Sequence, residues 1–449
     1  MKLTVFQSGK GDCMLLTGAD GRNVLVDGGM SAPYAKHVAP ALGKMRDNGE
    51  SIDVVYLSHI DEDHIAGILS LMNDEVDWRV HEFQIQNGNT HHKEPDAPRP
   101  PAVKAIWHNA FHELVDDNKG EIENMLGASA AILSGSELKA VKELAIEQSE
   151  LVSSIAQAIK LTRRVSGEQL GIKKNGPAKG KLMLVRPQTA AAIKVGGMRF
   201  RIIGPASKDL EKLREDWNIW LEANKDKVKT IQTEAKKDEA SFATKEINDI
   251  IQPKLDQAAL LTTLLPNGGI ETAVKLGDRK QVTPPNLASL MFFVEESGKT
   301  LILTGDGHHE DVIKGLKHIK KLKDNKGLHV NVLKVQHHGS EHNIDEVFCR
   351  TVTADNYVIC GNGESKNPDT EVVKAIITSR LGSAAELSPN PEVGNHFKIW
   401  INSHSSVSPN AATRTHMKKI ESRIGQAEAS SNGQMSSFFL KGSSFELPI

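Results

Sequence analysis

The residues best suited to chemistry lie in one short stretch, Ser58-His59-Ile60-Asp61-Glu62-Asp63-His64-Ile65-Ala66-Gly67. Five side chains able to bind a metal occur within the six positions from His59 to His64. Imidazole nitrogens combined with carboxylate oxygens suit zinc, manganese or iron better than copper. The apolar run over 53–57 just before them reads as a buried β-strand. The pattern therefore predicts a metal site at a strand end, rather than a polar loop of hydrogen-bonded histidines.

Two later strand ends carry further candidate ligands. A predicted strand over 300–303 ends in Thr304-Gly305-Asp306, and one over 330–335 is followed by His337 and His338. Strand ends at one edge of a sheet can converge although they are far apart in sequence. Two metal ions sharing Asp306 would generate hydroxide near neutral pH and hold the attacking and leaving oxygens. Asp27, after another predicted strand, is placed to hydrogen-bond an imidazole and fix its tautomer.

The rest of the chain alternates between segments with the residue pattern of strands and segments with that of helices. Short apolar runs between Gly-rich turns are typical of strands, and longer stretches have apolar residues at helical spacing. Mixed charge over 225–245 is typical of a solvated helical hairpin, although a partner-binding arm is the alternative. Beyond residue 379 we expect a strand over 397–401 and an edge strand within 436–449. The predicted division is an α/β core over 1–109, a helical insertion over 110–181, core strands over 182–206, a charged helical insertion over 207–285, the second part of the core with metal ligands over 286–378, and a C-terminal extension over 379–449.

Bulk composition limits the partners and the compartment. The chain has 449 residues and a formal net charge of −2, so no overall field attracts nucleic acid. Phosphates would have to be met locally, for example by the lysines of a predicted flexible loop over 173–181. The three cysteines are widely spaced and form no CxxC pair, which indicates a reducing compartment without a disulfide framework. No long apolar segment occurs, and we expect a cytoplasmic protein with no membrane contact.

Several motifs together give the chain a resemblance to a known family. It resembles metallo-β-lactamase-fold hydrolases, and most closely the hydrolase domain of bacterial competence-type DNA-uptake channel proteins. The resemblance covers roughly half of the chain, leaving out both helical blocks and the C-terminal segment. The matching motifs, in the family's order, are Gly9-Lys10-Gly11-Asp12-Cys13, Asp27-Gly28-Gly29, the loop from Ser58 to His64, Gly204-Pro205, Asn286-Leu287-Ala288-Ser289-Leu290, Leu303-Thr304-Gly305-Asp306 and Lys334-Val335-Gln336-His337-His338-Gly339-Ser340.

The resemblance implies an αββα sandwich with two divalent metals, Zn²⁺ or Mn²⁺, at one edge of the sheets. It implies that His59 and Asp61 serve the first metal, Asp63 and His64 the second, and that Asp306 bridges them. His337 or His338 would complete the second site. Adjacent residues at a strand end point to opposite sides, which predicts that only one of the two is a ligand.

Three positions depart from the superfamily pattern. Asp61 stands where most of the superfamily has histidine, although the competence-type branch shares the Asp. A third histidine for the first metal has no clear counterpart, and the candidates by position are His91, His92, His108 and His112. Asn367-Pro368 stands where the family often has His-Pro. Because Asn cannot donate a titrating proton, protonation of the leaving group would fall to water or to His342.

The first functional hypothesis is a metal-dependent phosphodiesterase, a nuclease acting on DNA. The resemblance favours it, and two metals suit in-line displacement at phosphorus. The channel that accompanies this domain in uptake proteins has no counterpart here, which suggests a freestanding effector, for example in defence against foreign DNA. The helical insertions are candidates for a protein partner or for self-association.

Two other hypotheses remain open. The superfamily also supports hydrolysis of small esters, lactones or amides, and the fold does not decide among substrates. A partner-binding subunit with a partly degenerate metal site is the third possibility. Serine-nucleophile and P-loop chemistry are disfavoured because neither GxSxG nor GxxxxGK[ST] occurs in the chain.

Overall fold

The computed structural model describes residues 1–109, 150–186, 191–208, 277, 288–390 and 392–449. In these ranges two β-sheets pack face to face, and helices cover the outer face of each. The predicted αββα sandwich is therefore confirmed. The charged insertion expected over 207–285 lies outside the described residues, apart from 207, 208 and Gly277. Of the insertion expected over 110–181, residues 110–149 also lie outside them.

The first sheet carries the N-terminal half of the described core. Its strands are β1 Lys2–Phe6, β2 Met14–Thr17, β3 Asn23–Val26, β4 Val54–Tyr56, β5 Ala105–Trp107, β6 Lys173–Lys174 and β15 Ser444–Pro448. They lie in the order β15-β1-β2-β3-β4-β5-β6. The pairs from β3 to β6 are parallel, so the carboxyl ends of these strands lie at one edge of the sheet.

The second sheet contains the remaining strands. These are β7 Ile193–Val195, β8 Met198–Gly204, β9 Met291–Glu296, β10 Lys299–Leu303, β11 Leu328–Lys334, β12 Val352–Ile359, β13 Phe397–Ile401 and β14 Met435–Phe439. They lie in the order β14-β13-β12-β11-β10-β9-β8-β7. β10 to β14 are parallel, whereas β7, β8 and β9 form an antiparallel meander that pairs antiparallel with β10.

The helices of the first sheet's outer layer are α1 Ser31–Pro33, α2 Ala39–Asp47, α3 Glu62–Gln86 and α4 Glu150–Val165, with a π-helical turn Tyr34–Val38 between α1 and α2. Those of the second are α5 His309–His318, α6 Glu346–Thr351, α7 Thr370–Leu381 and α8 Ala411–Ser430. Short 3₁₀ turns occur at Gly176–Ala178, Gln336–Gly339, Glu364–Lys366 and Ser405–Val407. Within the described ranges, every helix is too short or too polar to cross a lipid bilayer.

β4 shows why the strands of this fold are apolar on both faces. Val54 and Tyr56 lie in the core between the sheets, while Val55 points into the core beneath the helices. A sheet that has another sheet on one side and helices on the other needs apolar residues at every position. Burial on both faces therefore explains why β4 is a continuous apolar run in the sequence.

The C-terminal segment over 379–449 is part of both sheets. Besides the expected strand at 397–401, it supplies α8, the edge strand β14 of the second sheet and β15, which pairs with β1 in the first. Sequence reasoning missed α8 and one of these two edge strands. The flexible loop predicted over 173–181 is also wrong in part, because Lys173 and Lys174 form β6 against β5.

A glycine contact fixes α3 against the loop that follows β3. The backbone nitrogen of Gly28 donates to the His64 carbonyl at 2.8 Å, and Gly67 donates to Gly29 at 2.9 Å. A Cβ atom on Gly67 would lie 1.9 Å from the carbonyl oxygen of Gly28. Glycine at both positions therefore lets the two backbones touch, and this contact sets the position of His64.

We predict that Gly67→Ala destabilises the protein by about 1–3 kcal/mol, because the added methyl group forces the two backbones apart. Gly425→Ala is the matched control, since Gly425 is exposed in α8 and a Cβ there meets nothing within 4 Å. It should stabilise by about 0.5–1 kcal/mol through helix propensity. Urea unfolding measures both. Equal effects of the two substitutions would contradict the close contact.

Candidate metal centre

The candidate ligands meet where the carboxyl ends of strands from the two sheets come together. The loop after β4 carries His59, Asp61, Asp63 and His64, with the last two already in the first turn of α3. The second sheet contributes Asp306 after β10 and the two histidines after β11. The centre therefore spans the seam between the sheets. We call this edge of the sandwich the metal rim.

The Asp306 carboxylate lies at the middle of four imidazoles. Its Oδ1 is 3.4 Å from Nε2 of His64. Its Oδ2 is 3.3 Å from Nε2 of His338, 3.6 Å from that of His337 and 3.8 Å from that of His59. All four rings thus turn the same nitrogen toward one buried carboxylate.

The orientation of the two second-sheet rings is set by hydrogen bonds at Nδ1. Nδ1 of His338 lies 2.7 Å from the Cys360 carbonyl oxygen, which can only accept. Nδ1 of His337 lies 2.7 Å from Oδ1 of Asn343, whose Nδ2 donates to the Asp306 carbonyl oxygen at 2.7 Å. Both Nδ1 atoms therefore carry hydrogen, and in the neutral ring the Nε2 lone pair faces the Asp306 carboxylate.

Asp27 orders the two first-sheet rings. Its Oδ2 accepts from Nδ1 of His64 at 2.9 Å and from the Ser58 hydroxyl at 2.8 Å. With its hydroxyl hydrogen directed to Asp27, Ser58 Oγ accepts from Nδ1 of His59 at 3.0 Å. The predicted hydrogen bond between Asp27 and an imidazole is confirmed. Such a bond sets the tautomer of a neutral ring that binds a metal.

The two further carboxylates flank opposite sides of this group. Oδ2 of Asp61 is 3.5 Å from Nε2 of His59. Oδ2 of Asp63 is 3.1 Å from Nε2 of His338, and its Oδ1 is 4.0 Å from Nε2 of His64. The donors therefore form two sets, one around His59 and one around His64 and His338.

The prediction that His337 and His338 point to opposite sides is wrong. β11 ends at Lys334, and the two histidines lie in a turn with φ of 42° and 54°. In this left-handed conformation the alternation of a strand no longer applies. Both rings consequently face Asp306, although His338 is almost fully buried and His337 is 26% exposed.

A buried ion pair that sequence reasoning did not assign supports the centre. The Lys334 ammonium contacts the Asp12 carboxylate, donates to the Gly305 carbonyl at 2.9 Å and lies 3.6 Å from Oδ1 of Asp306. Both side chains of the pair are 1% exposed. The available signal was a lysine flanked by Leu333 and Val335 at the end of a strand, because a lysine is rarely buried without a partner.

Asp12 is also close to the donors, but it faces the Nδ1 atoms of the imidazoles rather than their Nε2 atoms. One ligand atom from each of Asp12, His64, Asp306 and His338 lies within 4.8 Å of the others. The nearest ring atoms to Asp12 are Nδ1 of His338 at 3.2 Å and Nδ1 of His64 at 3.9 Å. Those nitrogens already donate to protein acceptors. Geometry therefore favours Asp63, which faces Nε2, as the carboxylate on the metal side.

Charge compensation shifts the pKa values of the group in opposite directions. Burial would raise the pKa of Asp306, but His338, His64 and His337 hold it well below its usual range. Burial would lower the pKa of His64 and His338, yet the Asp306 carboxylate raises both well above the usual value. Burial lowers the pKa of His337. A divalent cation entering this group must replace protons held by imidazoles.

Comparison with family models finds one match, to the N-terminal part of the chain. Residues 8–129, which include Asp12, Asp27 and the whole loop from His59 to His64, match the family model described as Metallo-beta-lactamase superfamily. The strand order, the four layers and the position of the centre agree with that match. The two sheets and their helical layers are consistent with a metallo-β-lactamase fold. The match indicates a metal-dependent hydrolase.

The other comparisons concern curated proteins and solved structures. A search of curated proteins finds no match to this chain. Among solved structures, Zn(2+)-bound PqqB from Methylobacterium extorquens is similar over 100% of both chains, with 9% sequence identity and a TM-score of 0.31.

The metal rim has the atoms that a metal requires. Nε2 of His59, His64 and His338 and Oδ1 of Asp306 are buried and make no hydrogen bond within the described part of the chain. Buried polar atoms of this kind are costly unless they are satisfied. A zinc or manganese site typically has nitrogen and oxygen donors whose other polar atoms, here the Nδ1 atoms of the rings, are hydrogen-bonded to the protein. The residues therefore fit the metal that the superfamily implies.

His342, the expected proton donor, and Asn367, which replaces the family's histidine, lie on neighbouring loops. The His342 backbone nitrogen donates to Oγ of Ser340 at 3.3 Å, and Nδ1 of its ring is buried without a hydrogen bond within the described residues. Asn367 is half-buried and precedes Pro368. A Cβ on Gly339 would meet Cβ of Pro368 at 2.8 Å, so the two loops pack together. Within the described part of the chain, His342 forms no ion pair with the carboxylates of the centre.

The candidates for a third first-metal histidine occupy different places. His108 directly follows β5, and the last residue of β5 accepts a backbone hydrogen bond from Leu57 at 2.9 Å. His108 is therefore buried at the metal rim, one strand away from the loop that carries His59. His91 and His92 lie in the turn after α3, where His91 is exposed. His112 lies outside the described residues.

We predict that Lys334→Met costs about 3–5 kcal/mol of unfolding free energy, because it leaves Asp12 buried without its cation. Lys104→Met is the control, since Lys104 pairs with Asp53 but is 50% exposed. Its loss should cost less than about 1 kcal/mol. Urea unfolding of both variants is the measurement, and similar costs would contradict a buried ion pair at the rim.

Metal binding should raise the unfolding midpoint and release protons. Zn²⁺ at 100 times its dissociation constant should stabilise the protein by about 2.7 kcal/mol. Asp306→Asn should abolish most of that gain, whereas Asp355→Asn, which loses a carboxylate 3.0 Å from His329 on the same sheet, should retain it. Affinity should rise with pH because His64 and His338 must lose protons. Calorimetry in two buffers of different ionisation enthalpy counts those protons, and the absence of release would refute the assignment.

Proposed function

We propose that the protein is a metal-dependent phosphodiesterase that cleaves DNA. The observation that carries the proposal is the placement of the Asp306 carboxylate between two sets of donors, one containing Asp61 and the other containing Asp63. A shared carboxylate with a donor set on each side suits two divalent ions, Zn²⁺ or Mn²⁺. Paired metals of this kind are characteristic of enzymes that act on phosphate esters.

In this proposal each set of donors serves one ion. His59 and Asp61 would hold the first, and Asp63 and His64 would hold the second. Asp306 would be available to both. His338 is assigned to the second ion because it is the nearest imidazole to both Asp63 and Asp306, at 3.1 and 3.3 Å.

His337 lies on the more open side of the centre. Its side chain is 26% exposed, and its Nε2 still faces Asp306. From that position it could help to hold a metal or contact a substrate oxygen. His108, at the end of the neighbouring strand, is the proposed substitute for the third histidine of the first site.

When bound, the metals supply Lewis acidity and a nucleophile available near neutral pH. The chain's own residues supply the geometry. Asp27 and Ser58 fix the rings of His59 and His64. Lys334 holds the Asp12 and Asp306 carboxylates in place and does not take the space beside the Nε2 atoms of the imidazoles. Preorganised charge of this kind needs no rearrangement during the reaction.

His342 and Asn367 are the proposed contacts to the leaving group. Both lie on loops that pack together through Gly339 and Pro368 beside the histidine turn. Asn367 can donate a hydrogen bond to the leaving oxygen but cannot release a titrating proton to it. His342 or water would supply the proton.

DNA is favoured over small esters for two reasons. The carboxylate-rich donor set, with Asp61 in place of a histidine, suits the oxygen-preferring ion Mn²⁺. The same Asp appears in competence-type hydrolase domains, which the chain resembles and which are associated with DNA degradation.

The test is cleavage of linear and circular, single- and double-stranded DNA by protein loaded with Mn²⁺ or Zn²⁺. Asp63→Ala should reduce the rate at least about 100-fold, as expected when a charged group is removed from an active site. Asp96→Ala is the control, because Asp96 is 87% exposed and pairs only with Lys93 in the described residues. It should leave the rate unchanged.

Two outcomes would overturn the proposal. Equal cleavage by wild type and Asp63→Ala would mean that the activity does not come from this centre. Bound metal without cleavage of any DNA form would exclude a DNA nuclease, and hydrolysis of small chromogenic esters by the same preparation would then identify the alternative substrate class.

A further inference from the structure

A row of basic side chains runs along the metal rim and is separate from the metal donors. The segment 173–186 contains five basic residues and no acidic residue, in a chain with 55 basic and 57 acidic residues. Lys173, Lys179, Lys181 and Arg186 are exposed. Within the described residues, none of these four forms an ion pair. We call them the basic ledge.

The ledge is held at the rim by two buried asparagines. Asn175, which has φ of 43° and is fully buried, accepts from the His108 nitrogen at 2.9 Å and donates to the His108 carbonyl at 2.7 Å. It also donates to the carbonyl of Lys181 at 3.1 Å. Asn109 makes the same kind of amide pair with Met183, at 2.8 and 3.0 Å. The loop is thus fixed to the residues that directly follow β5.

The ledge continues from the first sheet to the second. It starts at β6, whose carboxyl end lies at the same edge as those of β4 and β5. The nitrogen of Val185 then donates to the Pro205 carbonyl at 3.0 Å, beside the end of β8. The segment therefore follows the edge at which the metal centre lies.

The distance between the metal centre and the basic ledge suits an extended substrate. Neighbouring strands lie about 4.8 Å apart, so the ends of β4 and β6 are about 10 Å apart. Charges on one nucleic-acid strand recur about every 3.4 Å along the helix axis. A strand whose reacting phosphate lies at the centre would place phosphates two or three nucleotides away beside the ledge.

Lys104 and Lys2, on the same sheet, differ from the ledge lysines because they pair with carboxylates. Lys104 lies at the amino end of β5, on the opposite edge, and pairs with Asp53 at 2.8 Å. Lys2 pairs with Glu446 at 2.7 Å. The ledge cations lack such carboxylate partners in the described residues. An unneutralised row of this kind is the electrostatic footprint expected of a polyanion site.

We propose that the basic ledge binds the sugar-phosphate backbone of the nucleic acid on one side of the cleaved bond. This inference rests on the proposed nuclease function and adds to it the surface that positions the strand. Lysine contacts of this kind are independent of base sequence, so the ledge supplies affinity and register without specificity.

The test is binding of a fluorescent oligonucleotide to the full chain carrying Asp63→Ala, loaded with Mn²⁺, at several salt concentrations. Replacing Lys173, Lys179 and Lys181 together by Gln should weaken binding at least about tenfold. It should also lower the slope of log affinity against log salt by about 2–3, as expected when three phosphate contacts are lost. Replacement of the same three by Arg should retain both affinity and slope.

A matched control carries the same charge change on the opposite edge. Lys299, Lys323 and Lys326 are exposed near the amino ends of β10 and β11. Their joint replacement by Gln should change neither affinity nor slope. If the two triple variants behave alike, the ledge is not the binding surface.

The two proposals fail in different ways. DNA cleavage by the wild type with binding that is insensitive to the ledge would overturn the ledge and leave the nuclease assignment intact. Ledge-dependent binding without cleavage by the wild type would overturn the nuclease assignment and leave a nucleic-acid-binding protein.

Discussion

The structure depends on the close approach of several carboxylates in a poorly solvated site. Asp12, Asp63 and Asp306 all lie at the metal rim, and ionised carboxylates this close repel each other strongly in a poorly solvated interior. Lys334 offsets part of the charge through its contacts with Asp12 and Asp306. Protonated His64 and His338 offset more, which explains why their pKa values rise while that of Asp306 falls. A divalent metal is the natural replacement for those protons.

Both sheets are needed to assemble this balance. Asp12, Asp27 and the His59–His64 loop come from the first sheet, whereas Asp306, Lys334 and the histidine turn come from the second. The backbone contact of Gly28 with Gly67 and the hydrogen bond from Asn343 to Asp306 hold each half in place. The site is therefore as rigid as the packing between the sheets.

Sequence reasoning found the parts of this arrangement that are local. The loop after β4, Asp306 and the histidines after β11 all follow recognisable strands. Lys334 and Asp12 could not be paired, because they are 322 positions apart and only folding brings them together. The left-handed turn at His337 and His338 was invisible, since no glycine marks it at those positions. α8 was missed because its buried stripe is short and consists of only Thr413, Met417, Ile420 and Ile424 within a largely polar segment.

The placement of the candidate ligands at strand ends has an evolutionary consequence. The loop from His59 to His64, Asp306 and the histidine turn follow β4, β10 and β11. A change of sequence in such a loop alters no hydrogen-bonded register within a sheet. These loops can therefore diverge while the two sheets stay the same. The fold thus separates the inheritance of a scaffold from the choice of what is bound at its edge.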